Sequence, residues 1–350
     1  MRIAVYVPQA NRKANSRVES FIVETFFLLI RQYPNHTYII ITDQKQTDTN
    51  CFLPDSKVVI IKSWPLKKLW GAIRMRGILK KIRADLLLMF ENDGPLATAV
   101  PKCIVISGIK KIRPANIKNA QSLIVTNSVV KEHLIKKNQV SPEKIFVLYP
   151  YPEIFFRPVK TQDRENIKKD YSDSLEFFLY NSILDRSEDF VSLLKSFSHF
   201  KKRQQSSFKL LLLTQSNSSF EKTLSNYKYR SDVKIIQAKN KSDEAKIIAA
   251  AYAVILPFNT NEDMFAALHA MQAGVPVIAE TDSVVNEIAN DAAVYAESEV
   301  TKDIGDKMIM VYTNENYRSE LINKGKTIAA TFTPERSTDI LWQSIMKALG

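Results

Sequence analysis

Several polar and charged side chains stand close together in one stretch of the sequence and are suited to contacting a small molecule. Asn261, Glu262 and Asp263 follow an apolar run that ends at Leu256, and His269 comes shortly after them. Amide, carboxylate and imidazole groups form hydrogen bonds with polar ligands. We therefore expect this stretch to contribute to a ligand site.

The elements around these residues have the pattern of a strand, a helix and a second strand. The apolar run 251–256 predicts a buried strand, residues 265–273 are good helix formers, and 277–279 form the next apolar run. Gly274 suits the left-handed position that follows a helix. In such units a ligand lies outside the carboxyl ends of the strands, and the free N–H groups at the helix amino end attract phosphate. The pattern thus places the candidate site at residues 259–269.

The second half of this stretch resembles the signature of a known family. Residues 268–277, Leu-His-Ala-Met-Gln-Ala-Gly-Val-Pro-Val, are similar to the pattern Leu-Glu-Ala-Met, two residues, Gly-x-Pro-Val of the glycosyltransferase group 1 family. The members of that family are GT-B retaining enzymes that move a sugar from a nucleotide donor. In a gapless alignment the family's two glutamates fall on Asn261 and His269, and its Gly-Phe-Gly falls on residues 262–264. The active-site motif is therefore eroded in this chain.

Two further motifs of the family are also altered. Its His-Asp pair, which lies near the acceptor and the donor sugar, falls on Ser107 and Gly108. Its Arg-Lys pair, which binds the donor diphosphate, falls on Arg186 and Ser187, so one of two cations is missing. The resemblance implies catalytic positions at Asn261, His269 and Ser107, donor-binding positions at Arg186, Ser187, Glu262, Met264 and Phe265, and no metal site.

The resemblance leaves two functions open. The first is an active glycosyltransferase of the retaining, metal-independent hexosyltransferase type, without a cofactor, which transfers a sugar from a nucleotide-sugar donor to a polysaccharide or lipid-linked acceptor. The second is a catalytically inactive GT-B homologue that acts as a binding or partner subunit, since fold alone fits both. The altered positions favour the second function, whereas Arg186 and the helix amino end favour the first. His269 is either a sugar or ribose contact or a structural histidine, and Arg186 is either a phosphate ligand or a solvated loop residue.

Short apolar runs alternate with helix-length segments along the chain. This alternation predicts an α/β protein with parallel, doubly wound sheets. In the first half, the predicted strands are 3–7, 38–42, 58–61, 86–90, 104–106, 123–125 and 145–148. The resemblance covers nearly the whole chain and implies the GT-B fold, in which two Rossmann-like domains face a central cleft.

The resemblance and the local composition together predict the domain boundaries. We expect an N-terminal, acceptor-side Rossmann-like domain over 1–157 and a C-terminal, nucleotide-sugar-side domain over 174–332. The segment between them, 158–173, is polar and has no apolar period, which is typical of a linker. Residues 333–350 contain a helix that in the GT-B pattern returns to the N-terminal domain.

The composition limits the partners and the compartment. The formal net charge of +12 favours anionic partners such as nucleotide diphosphates or an anionic membrane, and the sequence contains no recognised nucleic-acid-binding module. Only 8 of the 350 residues are glycine, which is few for a protein that binds phosphate through its backbone. Two cysteines without paired spacing and no signal peptide predict a cytoplasmic protein. No apolar run approaches the roughly 20 residues that span a bilayer.

Residues 65–84 form the most basic helical stretch and also carry an apolar stripe. One interpretation is a surface helix that packs on the sheet. The other is a helix that lies on an anionic membrane, where lipid-linked acceptors are presented. In the second case the protein would be peripheral on the inner face of the membrane.

Overall fold

Two parallel sheets with helices beside them make up the chain. The structure is a computed structural model that describes residues 1–7, 17–42, 58–62, 75–90, 98–109, 114–182, 184, 186–214, 218–297 and 301–350. These residues divide into unit 1, which is Met1–Pro150 with Pro334–Gly350, and unit 2, which is Tyr151–Thr333. Among the residues described, no helix has both the length and the apolar character needed to cross a bilayer.

The described part of unit 1 is built on seven parallel strands. They are β1 (Arg2–Val7), β2 (Thr37–Thr42), β3 (Val58–Lys62), β4 (Leu86–Phe90), β5 (Lys102–Ile106), β6 (Ser122–Val125) and β7 (Ile145–Val147). They lie in the order β3-β2-β1-β4-β5-β6-β7, and each neighbouring pair is parallel. All five residues of β4 are buried, as expected for a strand that is covered on both faces.

Helices cover both faces of this sheet. They are α1 (Arg17–Gln32), α2 (Met75–Ile82), α3 (Pro114–Lys118), α4 (Ser128–Asn138) and α13 (Pro334–Leu349). On one face, Met75 and Leu79 of α2 share a core cluster with Ile117 of α3 and Leu134 of α4. On the other face, the ring of Phe26 in α1 meets the rings of neighbouring strands edge to face.

The last helix of the chain, α13, belongs to unit 1. The indole of Trp342 stacks with the rings of Tyr33 and His36, with ring centroids 4.0 Å and 5.0 Å away. The hydroxyl of Ser337 donates a hydrogen bond of 2.9 Å to the carbonyl oxygen of Tyr149. The helix also contacts α1 and strands β4 to β7. It therefore completes the same side of the sheet as α1.

The described part of unit 2 repeats the same plan with six parallel strands. They are β8 (Phe177–Tyr180), β9 (Lys209–Leu213), β10 (Val233–Ile236), β11 (Ala253–Leu256), β12 (Val277–Glu280) and β13 (Ala293–Ala296). The helices are α5 (Thr161–Ser172), α6 (Ser187–Gln204), α7 (Ser218–Ser225), α8 (Lys241–Ala250), α9 (Asp263–Ala273), α10 (Val284–Ala289), α11 (Thr301–Thr313) and α12 (Glu315–Ala329). The strand order is β10-β9-β8-β11-β12-β13. The predicted doubly wound α/β architecture is thus confirmed.

Helices α6 and α11 pack closely on one face of this sheet. Phe190, Phe197 and Phe200 of α6 share a buried cluster with Ile304 and Met308 of α11. Gly305 lies at the crossing, where a Cβ atom added to it would stand 2.8 Å from the backbone oxygen of Ser196. The two helices can approach this closely because residue 305 has no side chain.

The segment 158–173 differs from the predicted linker, because it contains the regular helix α5. Lys168 lies in this helix, with its Nζ atom 2.8 Å from a carboxylate oxygen of Glu165 and 2.6 Å from one of Glu176. Arg164 forms a second ion pair with Glu176, at 2.9 Å. The buried residues of α5 are Ile167, Lys168 and Ser172, so its sequence shows no apolar period.

Candidate active site

The order of the strands in unit 2 reverses at β8. This strand lies between β9 and β11, so the chain first builds the sheet to one side of β8 and then to the other. Open α/β sheets bind ligands in the crevice outside the carboxyl ends of the strands at such a reversal. The loops that follow Tyr180 at the end of β8 and Leu256 at the end of β11 therefore border the candidate site.

A largely buried group of hydrogen-bonding side chains joins these two loops. The hydroxyls of Ser182 and Thr260 lie 2.9 Å apart, and both donate to Oδ1 of Asp263, the Thr260 hydroxyl at 2.6 Å. The backbone N–H of Thr260 donates to Oδ2 of Asp263 at 2.9 Å. Asp263 is the first residue of α9, where the helix dipole favours a negative charge. We call Ser182, Thr260 and Asp263 the crevice cluster.

The other predicted residues around the start of α9 differ in exposure. Asn261 is exposed, whereas Glu262 is 6% exposed. Met264 and Phe265 are buried in unit 2 and belong to its core. Their side chains therefore support the helix, and Asn261 is the one of these four that solvent reaches freely.

His269 lies further along α9 and is buried under an aromatic ring. Its side chain is 3% exposed, and the ring of Phe156 stacks on the imidazole with centroids 3.5 Å apart and planes at 4°. Phe156 is itself buried and comes from the segment that precedes α5. One face of the imidazole is thus covered by Phe156.

Arg186 and Ser187 lie at the start of α6, after β8. The Arg186 side chain is 65% exposed, and its guanidinium pairs with the Asp189 carboxylate through contacts of 2.6 Å and 2.9 Å. This hydrogen-bonded carboxylate raises the pKa of Arg186 above its usual value. Ser187 is exposed at the first position of the helix. Arg186 is therefore a solvent-accessible cation whose charge is partly balanced by its own helix.

Ser107 is the remaining predicted site residue and lies in unit 1. It follows β5 and is 8% exposed. All the other predicted site residues belong to unit 2. The part of the chain that the structure describes contains no group of three or more His, Cys, Asp or Glu side chains that could hold a metal ion.

Three residues of this region were not singled out from the sequence. Thr260 lies within the predicted range 259–269, and the spacing Thr260-x-x-Asp263 is itself a capping signal, because an acidic side chain three residues on can bond the backbone N–H before the helix. Ser182 and Phe156 have no such local signal, since each meets its partner only when distant parts of the chain fold together.

The sequence and the fold were compared with known proteins. Residues 162–328 match the family model described as glycosyl transferases group 1. A search of the curated proteins finds no match.

Several solved structures have a similar fold. A glycosyltransferase from Rickettsia africae aligns with a TM-score of 0.78 at 15% identity, over 99% of this chain and 98% of that one. Anabaena HepE in complex with UDP and glucose aligns with a TM-score of 0.71 at 11% identity, over 99% of each chain. Sucrose-phosphate synthase from Thermosynechococcus elongatus aligns with a TM-score of 0.74 at 14% identity, over 98% of each chain.

These alignments span both units, and the family match falls within unit 2, where the crevice cluster and the altered signature lie. The fold is the two-domain, Rossmann-like GT-B fold. Over residues 162–328, the chain is similar to the glycosyl transferases group 1 family.

Proposed function

We propose that the protein is a glycosyltransferase that binds a nucleotide-sugar at the carboxyl edge of unit 2 and transfers the sugar to a polysaccharide or lipid-linked acceptor. The observation that carries this proposal is the meeting of Ser182, Thr260 and Asp263 at the strand-order reversal, within the residues that match the family. Similar structures were solved in complex with UDP and with UDP-glucose. They support a nucleotide-sugar as the donor class.

The proposed roles follow from the chemistry of each side chain. Arg186 is an exposed cation beside the crevice loops and is suited to the diphosphate, whose charge grows as the sugar leaves. Ser187 at the first position of α6 offers a hydroxyl and a backbone N–H nearby. Asn261 is exposed and can pair with sugar hydroxyls. His269, beneath Phe156, is suited to holding α9 in position. We propose retention of configuration and metal independence, as the family resemblance implies.

A second candidate function is a binding or partner subunit without turnover. Two observations favour it. The imidazole of His269, at the position of a family glutamate, is stacked under Phe156. The carboxylate of Asp263 accepts hydrogen bonds from donors that could otherwise bind a phosphate.

Isothermal titration of the whole protein with a panel of nucleoside diphosphates and nucleotide-sugars tests the proposed function. We expect at least one nucleotide-sugar to bind and to lose affinity in Arg186→Ala, because that variant removes the exposed cation. The exposed Arg203 at the end of α6 provides a matched control, since Arg203→Ala removes the same charge from the opposite end of that helix. If a folded protein binds none of these compounds, the binding-subunit function becomes the better explanation.

We also propose that the protein works at the inner face of a membrane, held there by the basic stretch 65–84. The structure describes this stretch from residue 75 onward, and residues 65–74 lie outside the described part. In α2, Met75 and Leu79 pack into the core of unit 1, whereas Arg76 and Lys80 are exposed. In the described part of α2, the cations are therefore accessible to a bilayer, whereas the buried apolar residues are not.

Flotation with anionic vesicles checks this proposal. We expect binding that weakens as salt rises, because exposed charges are screened within about 10 Å at 0.1 M ionic strength. The test variant changes Arg76, Lys80, Lys81 and Arg83 to glutamate. The control variant changes four exposed cations of unit 2, Lys202, Arg203, Lys222 and Arg230, in the same way. Equal flotation of the two variants and the wild type would show that α2 is only a packed surface helix.

A further inference from the structure

The Asp263 carboxylate is the centre of the crevice cluster. Its Oδ1 accepts hydrogen bonds from the hydroxyls of Ser182 and Thr260, and its Oδ2 accepts from the backbone N–H of Thr260 at 2.9 Å. Both oxygens of the Asp263 side chain therefore act as hydrogen-bond acceptors. Donors from two different loops thus converge on one anion that is 1% exposed. Converging hydroxyl and backbone N–H donors are also what proteins use to bind an external anion.

The location of this cluster is the one in which a ligand's phosphate is expected. It stands at the carboxyl ends of β8 and β11, where the strand order reverses, and at the amino end of α9. A phosphate group that reached these donors would have to displace the Asp263 carboxylate. A phosphate that stayed beside the carboxylate would be repelled by it, and repulsion between like charges is strong away from bulk water. Glu262, 6% exposed, adds a second acidic group next in sequence.

We propose that Asp263 is a specificity-determining residue, an internal anion that competes with the ligand's phosphate for Ser182 and Thr260. The inference rests on the proposed function, because it concerns how the charge of the ligand affects its affinity for the same crevice. The crevice binds the uncharged nucleoside and sugar parts of a donor, and while the carboxylate stays in place its repulsion of the diphosphate offsets the attraction from Arg186. Binding of the diphosphate is thereby made conditional on the movement of a single side chain.

Ligand-observed NMR titration of the full chain with UDP and with uridine tests this inference. In the wild type, we expect UDP to bind no more tightly than uridine. Asp263→Asn keeps the size of the side chain and one acceptor oxygen but removes the charge. We expect it to raise the affinity for UDP about tenfold or more, since hydrogen bonds to charged groups are worth that much, and to leave the affinity for uridine unchanged.

A matched control separates the local charge from the net charge of the protein. Asp170 is an exposed residue of α5, and Asp170→Asn removes the same unit of charge away from the crevice cluster. We expect this variant to bind UDP and uridine as the wild type does. A gain in UDP affinity equal to that of Asp263→Asn would overturn the inference, because the effect would then belong to the net charge.

Two other outcomes would overturn the inference while leaving the proposed function standing. One is a wild type that binds UDP about tenfold more tightly than uridine. The other is a folded Asp263→Asn variant that binds UDP no better than the wild type does. Failure of every folded protein to bind either compound would remove the proposed function and the inference with it. If Asp263→Asn does not fold, the comparison of UDP with uridine on the wild type decides alone.

Discussion

Replacing His269 with glutamate is expected to lower the free energy of unfolding at pH 8 by about 3 kcal/mol or more, because a charged carboxylate would be buried. The His269 side chain is 3% exposed, and the ring of Phe156 stacks on it with ring centroids 3.5 Å apart. Burial raises the folded-state pKa of an acid above its unfolded value of about 4.3. The native state then binds more protons than the unfolded state, so the loss should shrink as the pH falls toward that value.

Urea-induced unfolding of the variant and the wild type, measured at several pH values, checks this expectation. His269→Gln is the matched control, because glutamine has the size of glutamate without its charge. We expect His269→Gln to be destabilised by less than His269→Glu at pH 8, and the difference in stability between the two variants to shrink as the pH falls. Equal stability of the two variants at pH 8 would mean that the site pairs or solvates a carboxylate.

Replacing Gly305 with alanine is the second change with a large expected effect. The new Cβ atom would stand 2.8 Å from the backbone oxygen of Ser196 and 2.8 Å from the His199 ring. A backbone oxygen cannot move aside as the end of a flexible side chain can. The new Cβ atom would therefore push α6 and α11 apart. Overpacking of this kind costs about 2 to 3 kcal/mol.

Gly77 in α2 provides the control for this second prediction. A Cβ atom there would meet nothing within 4 Å. Because glycine is a poor helix former, Gly77→Ala should stabilise the protein by about 0.5 to 1 kcal/mol. Thermal unfolding of both variants and the wild type checks this. We expect the midpoint temperature to fall in Gly305→Ala and to rise in Gly77→Ala. A Gly305→Ala protein as stable as the wild type would contradict the close packing of α6 on α11.

Strands were the features of this fold that the sequence predicted best. The prediction for 86–90 coincides with β4, because a strand covered on both faces of a parallel sheet is a continuous apolar run. The helix α5 was missed for the opposite reason. Lys168 and Arg164 of this helix face carboxylates of Glu165 and Glu176, and such pairs leave no apolar period in the sequence.

The sequence predicted where the candidate site lies but not all of the side-chain contacts within it. The loop and helix after β11 follow from the apolar run and from Gly274, which ends α9 with a φ of 75°. The stack of Phe156 on His269 joins residues far apart in the chain, as does the bond between Ser182 and Asp263. Only the folded chain brings these pairs together, so spacing along the sequence could not reveal them.

The place of α13 in unit 1 has a consequence for the order in which the protein can be assembled during translation. Unit 2 is one continuous segment, so all of its strands and helices have been synthesised by Thr333. The sheet of unit 1 is synthesised before unit 2, but α13, which contacts α1 and β4 to β7, is synthesised after unit 2. A nascent chain therefore carries an uncovered apolar strip on its first sheet until Trp342 leaves the ribosome and reaches Tyr33 and His36. During that interval a chaperone has a surface to bind that the finished protein no longer shows.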